Sequence, residues 1–147
     1  MIADVIKVVG RLTVQRFDRF GSLVQEQHCN NLVVDTGLAW IAARLYDSGI
    51  PAHMTHMAVG TDNTAAASGQ TTLVTELARV AIGATATATN TIQYQATFPA
   101  GTGTGALTEA GIFNGTPAGT MLCRTVFPAV NKGISDSIIV IWTVTVS

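Results

Sequence analysis

Apolar and polar positions alternate along most of this chain with the two-residue period of half-buried β-strands. The clearest case is TIQYQATF at 91–98. There Ile92, Tyr94, Ala96 and Phe98 face one way and Thr91, Gln93, Gln95 and Thr97 the other. ALTEAGIF, TMLCRTVF and SIIVIWTVTVS follow, separated by NGTPAG and PAVNKGISD, both dense in turn residues. The last of these segments is apolar on both faces at its start, which predicts a central strand. Near the N-terminus, VIKVVGRLTVQRF (5–17) and SLVQEQHC (22–29) flank Asp18-Arg19-Phe20-Gly21 and predict a hairpin. Gly10 interrupts its first strand and marks a bulge or a bend. MTHMAVG (54–60) is a short strand entering the polar loop TDNTAAASGQTT, expected to be mobile unless a partner pins it. LVTELARV (73–80) fits a helical turn and a strand equally well.

One segment changes period. In DTGLAWIAARLYDSG, Asp35 or Thr36 can cap a helix start, Leu38, Ile41, Ala42 and Leu45 fall at helical spacing, and Gly49 with Pro51 stops the run. The expectation is a mainly β, single-domain protein over 1–147. Strands at such spacing predict an antiparallel β-sandwich or barrel, the sandwich preferred, with one short α-helix around residues 36–46 packed against it or inserted in it.

Composition adds an assembly argument. Charged residues are only 12% and hydrophobic residues 48%, with much threonine, alanine and glycine besides. So little surface charge predicts that the chain covers part of its surface by associating with copies of itself or with other proteins. No apolar run approaches the ~20 residues that span a bilayer. The runs present, such as Ile138–Trp142, are only as long as a strand or a helical turn or two, so no membrane partner is expected. The first residues show no basic segment followed by a long apolar one, so no secretory signal is expected. Cys29 and Cys123 lack metal-type spacing and are expected to be free thiols. With a net charge of −1 and scattered Lys and Arg, no direct nucleic-acid contact is expected. Arg11, Arg16 and Arg19 form the one basic cluster. Together with Phe20 in the predicted turn and Trp40 on the predicted helix, they are the interface candidates.

The candidate chemistry is thin. GTGTG at 101–105 lacks the lysine of a phosphate-binding loop and is followed by a strand instead of a helix, so it is expected to link two antiparallel strands. Glu109 lies in an apolar strand, on one face with Leu107 and Phe113 if alternation holds. A buried lone carboxylate is costly, so it should pair with Arg124 on the next strand, or with Arg79, which lies beside Glu76. His53 and His56 would point to opposite faces of a strand, and His28 next to Cys29 defines no nucleophile pair. Trp142 belongs to a core or an interface. No catalytic, metal or cofactor residues are assigned, and no enzyme is expected.

The order of segments carries a resemblance. HCNNLVVDTGLAWIAARL, MAVGTDNT, LVTELARV, TEAGIFNG, GTMLCRTVF, an NKG turn and IIVIWTVTV together resemble small virion proteins of tailed bacteriophages, over roughly residues 22–147. In size and β-rich character the chain is most similar to the capsid cement or decoration proteins of short-tailed phages. The resemblance implies a jelly-roll-like sandwich and symmetric oligomers on the outer capsid surface of the virion. It implies the major capsid protein as partner and places Glu109 and Arg124 in the common β-core. A homodimer is the expected self-association, since two-fold interfaces are the commonest. Tail, fibre or baseplate components, including host-binding ones, share similar segments and are the alternative. Residues 1–21 match less clearly, so the hairpin (about 5–29) either stays in its own subunit or reaches into a neighbouring one.

Overall fold

The computed structural model describes residues 5–45 and 49–147. Among the described residues, nine strands and one helix follow one another. They are β1 (Val8–Phe17), β2 (Leu23–Val33), α1 (Asp35–Arg44), β3 (His56–Gly60), β4 (Glu76–Ala81), β5 (Ala84–Ala88), β6 (Thr91–Phe98), β7 (Gly105–Phe113), β8 (Met121–Lys132) and β9 (Ser137–Val146). All pairings are antiparallel, in the order β4-β3-β7-β8-β2-β1-β9-β6-β5. The sheet curls into a half-barrel, bringing β4 close to β6 across the open side.

The core lies on the concave face, where the sequence alternation puts it. Leu12 and Val14 of β1, Tyr94, Ala96 and Phe98 of β6, and Ile138, Val140, Trp142 and Val144 of β9 form one cluster. β3, β7 and β8 add Met57, Val59, Leu107, Ala110, Ile112, Cys123 and Phe127 to it. β9 pairs with β1 from Val8↔Val146 to Phe17↔Ser137 and with β6 from Thr91↔Thr145 to Phe98↔Ile138, so it is central, as its apolar start predicts. The seam between the two halves of the sheet is different. β2 follows β1 along its length, but its backbone pairs with β8 only at Leu32↔Arg124 and Val33↔Cys123. Side chains bridge the rest: Gln25 Nε2 donates to the Ala129 carbonyl (3.1 Å) and Thr125 Oγ1 to the Asn30 carbonyl (2.8 Å).

The hairpin forms within the chain, with β1 held between β2 and β9. Of LVTELARV, residues 76–80 lie in the edge strand β4 and residues 73–75 in the loop that leads into it. The sequence leaves Ala84–Ala88 unassigned, and it is a fully exposed strand.

Two local expectations need correction. α1 begins at Asp35, one residue early, and the expected end at residue 46 lies outside the described residues. Val34 occupies the cap position without a side-chain bond, while the Thr36 hydroxyl donates to the Met121 carbonyl (2.9 Å). The helix also buries a different face. Leu38, Ala42 and Leu45 are exposed, Leu45 by 85%, and Gly37 is the buried residue. A Cβ at Gly37 would collide with the Leu122 carbonyl oxygen, so glycine lets the helix backbone lie directly on β8. Trp40 and Ile41 then reach the core edge. The second correction concerns β7. Its register with β8 shifts between Leu107 and Glu109, breaking the alternation. Leu107, Ala110 and Ile112 stay in the main core. Phe113 packs on the other side of the sheet with Val34, Ala58, Leu73 and Met121, so Leu107 and Phe113 do not share a face.

Candidate functional site

The convex face of β3, β7 and β8 is roofed by residues 61–75, and a buried ion pair holds that roof down. Glu109 and Arg124 are each 0% exposed. Arg124 Nε and Nη2 donate to Glu109 Oε2 at 3.0 and 2.8 Å. The same oxygen accepts the Val74 N–H (3.0 Å), and Oε1 accepts the Thr75 N–H (2.7 Å). Arg124 Nη1 donates to the Thr64 carbonyl (2.8 Å) and to Gln70 Oε1 (3.0 Å). Both charges are therefore met by each other and by the loop. This is the condition under which burying them is tolerable. Removing one partner of such a pair costs about 3–5 kcal/mol, because the other charge is stranded.

The loop has further anchors. Asp35 N–H donates to the Ser68 carbonyl (2.8 Å), Thr61 N–H to the Thr75 carbonyl (3.1 Å), and Leu73 is buried. Thr64 donates to Asp62 Oδ1 (2.7 Å), and hydrogen bonding to Thr64 holds the Asp62 carboxyl below its ordinary value. The loop is thus pinned by its own subunit. Small residues beneath make the room: a Cβ at Gly60 would strike the Thr75 carbonyl oxygen and Glu109 Oε1, and one at Gly111 would meet Leu73 at 3.0 Å.

Arg79 is not a partner of Glu109. Its Nε and Nη2 donate to the two Glu76 carboxylate oxygens (2.9 and 2.7 Å), and Nη1 donates to the Gly115 and Ala118 carbonyls (2.8 and 2.7 Å). Its guanidinium lies 3.7 Å from the centre of the Phe113 ring. It fastens the 114–119 turn as Arg124 fastens the longer loop.

The interface candidates are dispersed. Arg11 is exposed on the outer face of β1. Arg16 is committed to Asp136 (3.0 Å). Arg19 stacks 4.6 Å from the Phe20 ring centre at the hairpin turn, with Phe20 77% exposed. Trp40 is half-buried, donates to the Ala52 carbonyl (2.8 Å) and carries the Arg44 guanidinium over its ring.

GTGTG joins β6 to β7, which are not neighbours in the sheet, so the loop crosses between the two halves of the half-barrel. Gly101 and Gly103 take positive φ values of 80° and 69°, which only glycine adopts without strain. His28 bonds to Glu26 (2.6 Å) and Thr13 (3.0 Å) on the outer face, and His56 bonds to Thr55 (2.7 Å). Hydrogen bonds from Gln15 and His28 hold the Glu26 carboxyl below its ordinary value. Among the described residues, no group of three His, Cys, Asp or Glu side chains gathers as metal ligands. Cys29 and Cys123 are free thiols, both raised in pKa by burial, Cys123 strongly.

Sequence reasoning missed Lys132. It is buried, and its ammonium donates to the Pro99 carbonyl (3.0 Å). Burial lowers its pKa, opposed by the charge of Asp136. It also missed Val74 and Thr75, which act through backbone N–H groups and leave no side-chain signature.

Among the described residues, no loop covers the convex face of the other half of the sheet, β2-β1-β9-β6-β5. Ile139, Ile141, Thr143 and Thr145 of β9 are half-buried there, beside exposed Val9, Arg11, Gln93 and Thr97. A shallow groove of about 610 Å³ runs along it between Arg11, Asn30 and Thr143. The two convex surfaces therefore divide the work: one is closed by the chain itself and the other is presented. Compared with protein-family models, curated proteins and solved structures, the chain matches none.

Proposed function

We propose that this chain is a non-enzymatic structural protein of a tailed-bacteriophage virion. In this reading it is a cement or decoration subunit that binds the major capsid protein on the outer shell and stabilises the shell against the pressure of packaged DNA. The observation that carries the proposal is the convex face of β2-β1-β9-β6-β5, broad and rich in Thr, Gln and Ile, with Arg11 and Glu26 as its few charges and no described loop over it. Burying such a face against a neighbour removes apolar area from water with little charge desolvation. The resemblance of the segment order to small phage virion proteins, read from the sequence, supports the same reading.

The mechanism is mass action. A subunit that binds the assembled shell and not free capsid subunits shifts assembly toward the shell, and many weak sites add up. No cofactor is required. The jelly-roll-like sandwich belongs to this proposal. If the sparse β2–β8 seam is taken as a break, the two halves of the sheet become two layers facing each other across the shared core. The anchored, solvent-exposed 61–72 loop favours a second reading, a tail, fibre or baseplate component that offers a stiff loop to a host surface.

Quantitative mass spectrometry of purified virions tests the proposal by copy number against the major capsid protein. Hundreds of copies in a simple ratio to the capsid subunit are expected. A handful in multiples of three or six would replace cementing with the tail reading, and absence from the particle would overturn both.

A further inference from the structure

We infer that β5 is a self-association edge, on which two copies of this chain pair their sheets antiparallel across a two-fold axis. β5 is hydrogen-bonded on one side only, to β6 from Ala84↔Gln95 to Ala88↔Thr91. It ends the strand order, and among the described residues no backbone bond reaches its other side. All five of its residues are exposed. Such an edge is a row of unpaired N–H and C=O groups that templates another strand. Proteins that keep an edge free blunt it with lysine, proline or a bulge. β5 has none of these: its sequence is Ala-Thr-Ala-Thr-Ala, and no charged residue occurs anywhere between Arg79 and Glu109.

The occupant follows from that sequence. Ala84–Ala88 is a palindrome about Ala86, so an antiparallel copy with Ala86 on the axis sets Ala84 against Ala88 and Thr85 against Thr87. Every position meets its own residue type. The alanines lie on the convex face with Gln93 and Gln95, and the threonines on the concave face with Ile92 and Tyr94. The result is a flat Ala–Ala stripe on one side and Thr–Thr cross-strand pairs on the other. Near a two-fold axis any charge faces its own copy and repels it. A long uncharged segment therefore suits a homotypic contact better than a contact with a charged partner. The opposite edge, β4, carries Glu76 and Arg79 and turns toward β6, so the two edges are not equivalent and the pairing closes as a dimer. This inference does not depend on the virion assignment.

The test uses the full chain in isolation. Sedimentation velocity across micromolar concentrations should show a dimer. Ala86→Lys and Ala86→Glu each place like charges on the axis and should each raise the dissociation constant by about a hundredfold or more. Mixing the two variants in equal amounts should restore dimers, because lysine then meets glutamate. Native fluorescence from buried Trp142 checks the fold, and if an Ala86 variant fails to fold the pair is replaced by Ala84→Lys with Ala88→Lys and Ala84→Glu with Ala88→Glu, which set like charges against each other across the axis. A monomeric wild type, variants that dimerise as tightly as wild type, or a mixture that stays monomeric would each overturn the inference. None of these results bears on the copy number in virions, so the two ideas fail separately.

Discussion

Replacing Glu109 by alanine should unfold the roof before it unfolds the sheet. The substitution strips Arg124 of two of its bonds, those from Nε and Nη2, and leaves a guanidinium buried on the Thr64 carbonyl and Gln70 alone. It also orphans the Val74 and Thr75 N–H groups. A broken buried pair costs about 3–5 kcal/mol. Each stranded N–H adds about 1–3 kcal/mol unless water enters, which lifting the loop allows. The loss should therefore stay near 3–5 kcal/mol. In a domain of this size that is about 10–15 °C in Tm, at a few degrees per kcal/mol. The assay is a pair of melts, Glu109→Ala against the exposed control Arg11→Ala, for which less than about 0.5 kcal/mol is expected. Amide hydrogen exchange adds the local readout: Val74 and Thr75 should exchange much faster in the variant while β9 stays protected. Adding Arg124→Ala should cost less than the sum of the single changes, since each already destroys the pair. Equal melting of Glu109→Ala and Arg11→Ala, or unchanged exchange at Thr75, would refute the reasoning.

Two other predictions concern neighbouring geometry. Gly60→Ala should destabilise by about 1–3 kcal/mol, because its Cβ strikes the Thr75 carbonyl oxygen and Glu109 Oε1. In a Glu109→Ala background the added loss should be smaller, and strict additivity in denaturant titrations would count against the contact. Asp136 is held below its ordinary pKa first by the Gly133 N–H and then by Arg16. Its contribution is therefore fully present above about pH 4, the unfolded value, and is lost as pH falls through the lower folded value. The stability gap between wild type and Asp136→Asn should narrow on acidification from pH 7 to below that point, and a gap independent of pH would refute the linkage.

The strands that line the core were legible because alternation is a local signal. β6 presents Tyr94, Ala96 and Phe98 inward as its sequence implies, and β9 is as central as its apolar start suggests. The need for a partner at Glu109 was equally legible, since a carboxylate in an apolar strand has few options. What could not be read depends on geometry between distant segments. The face that α1 buries is chosen by Gly37, through close backbone approach, and not by its leucines. The register shift at Glu109 is invisible to a period-two count. The loop was expected to move because its residues are small and polar, and its anchors are backbone groups far from Glu109 in sequence. β5 escaped notice because alternating alanine and threonine carries little hydropathy contrast.

The position of β9 sets the order of events during synthesis. β9 follows the other eight described strands in the chain, yet it sits between β1 and β6. β1 and β9 run so close that Lys7 and Ser147, flanking them, exchange backbone bonds in both directions. A nascent chain translated as far as Asp136 can form the β1–β2 and β5–β6 hairpins. The slot between them is then empty, and two inner edges lie open to any extended segment nearby. Closing the sheet must wait for the final ten residues of β9, and contacts of such long sequence separation form slowly. A product stalled before Ser137 would therefore hold a six-stranded piece and the β5–β6 hairpin with open inner edges, prone to aggregate until β9 brings Trp142 into the core.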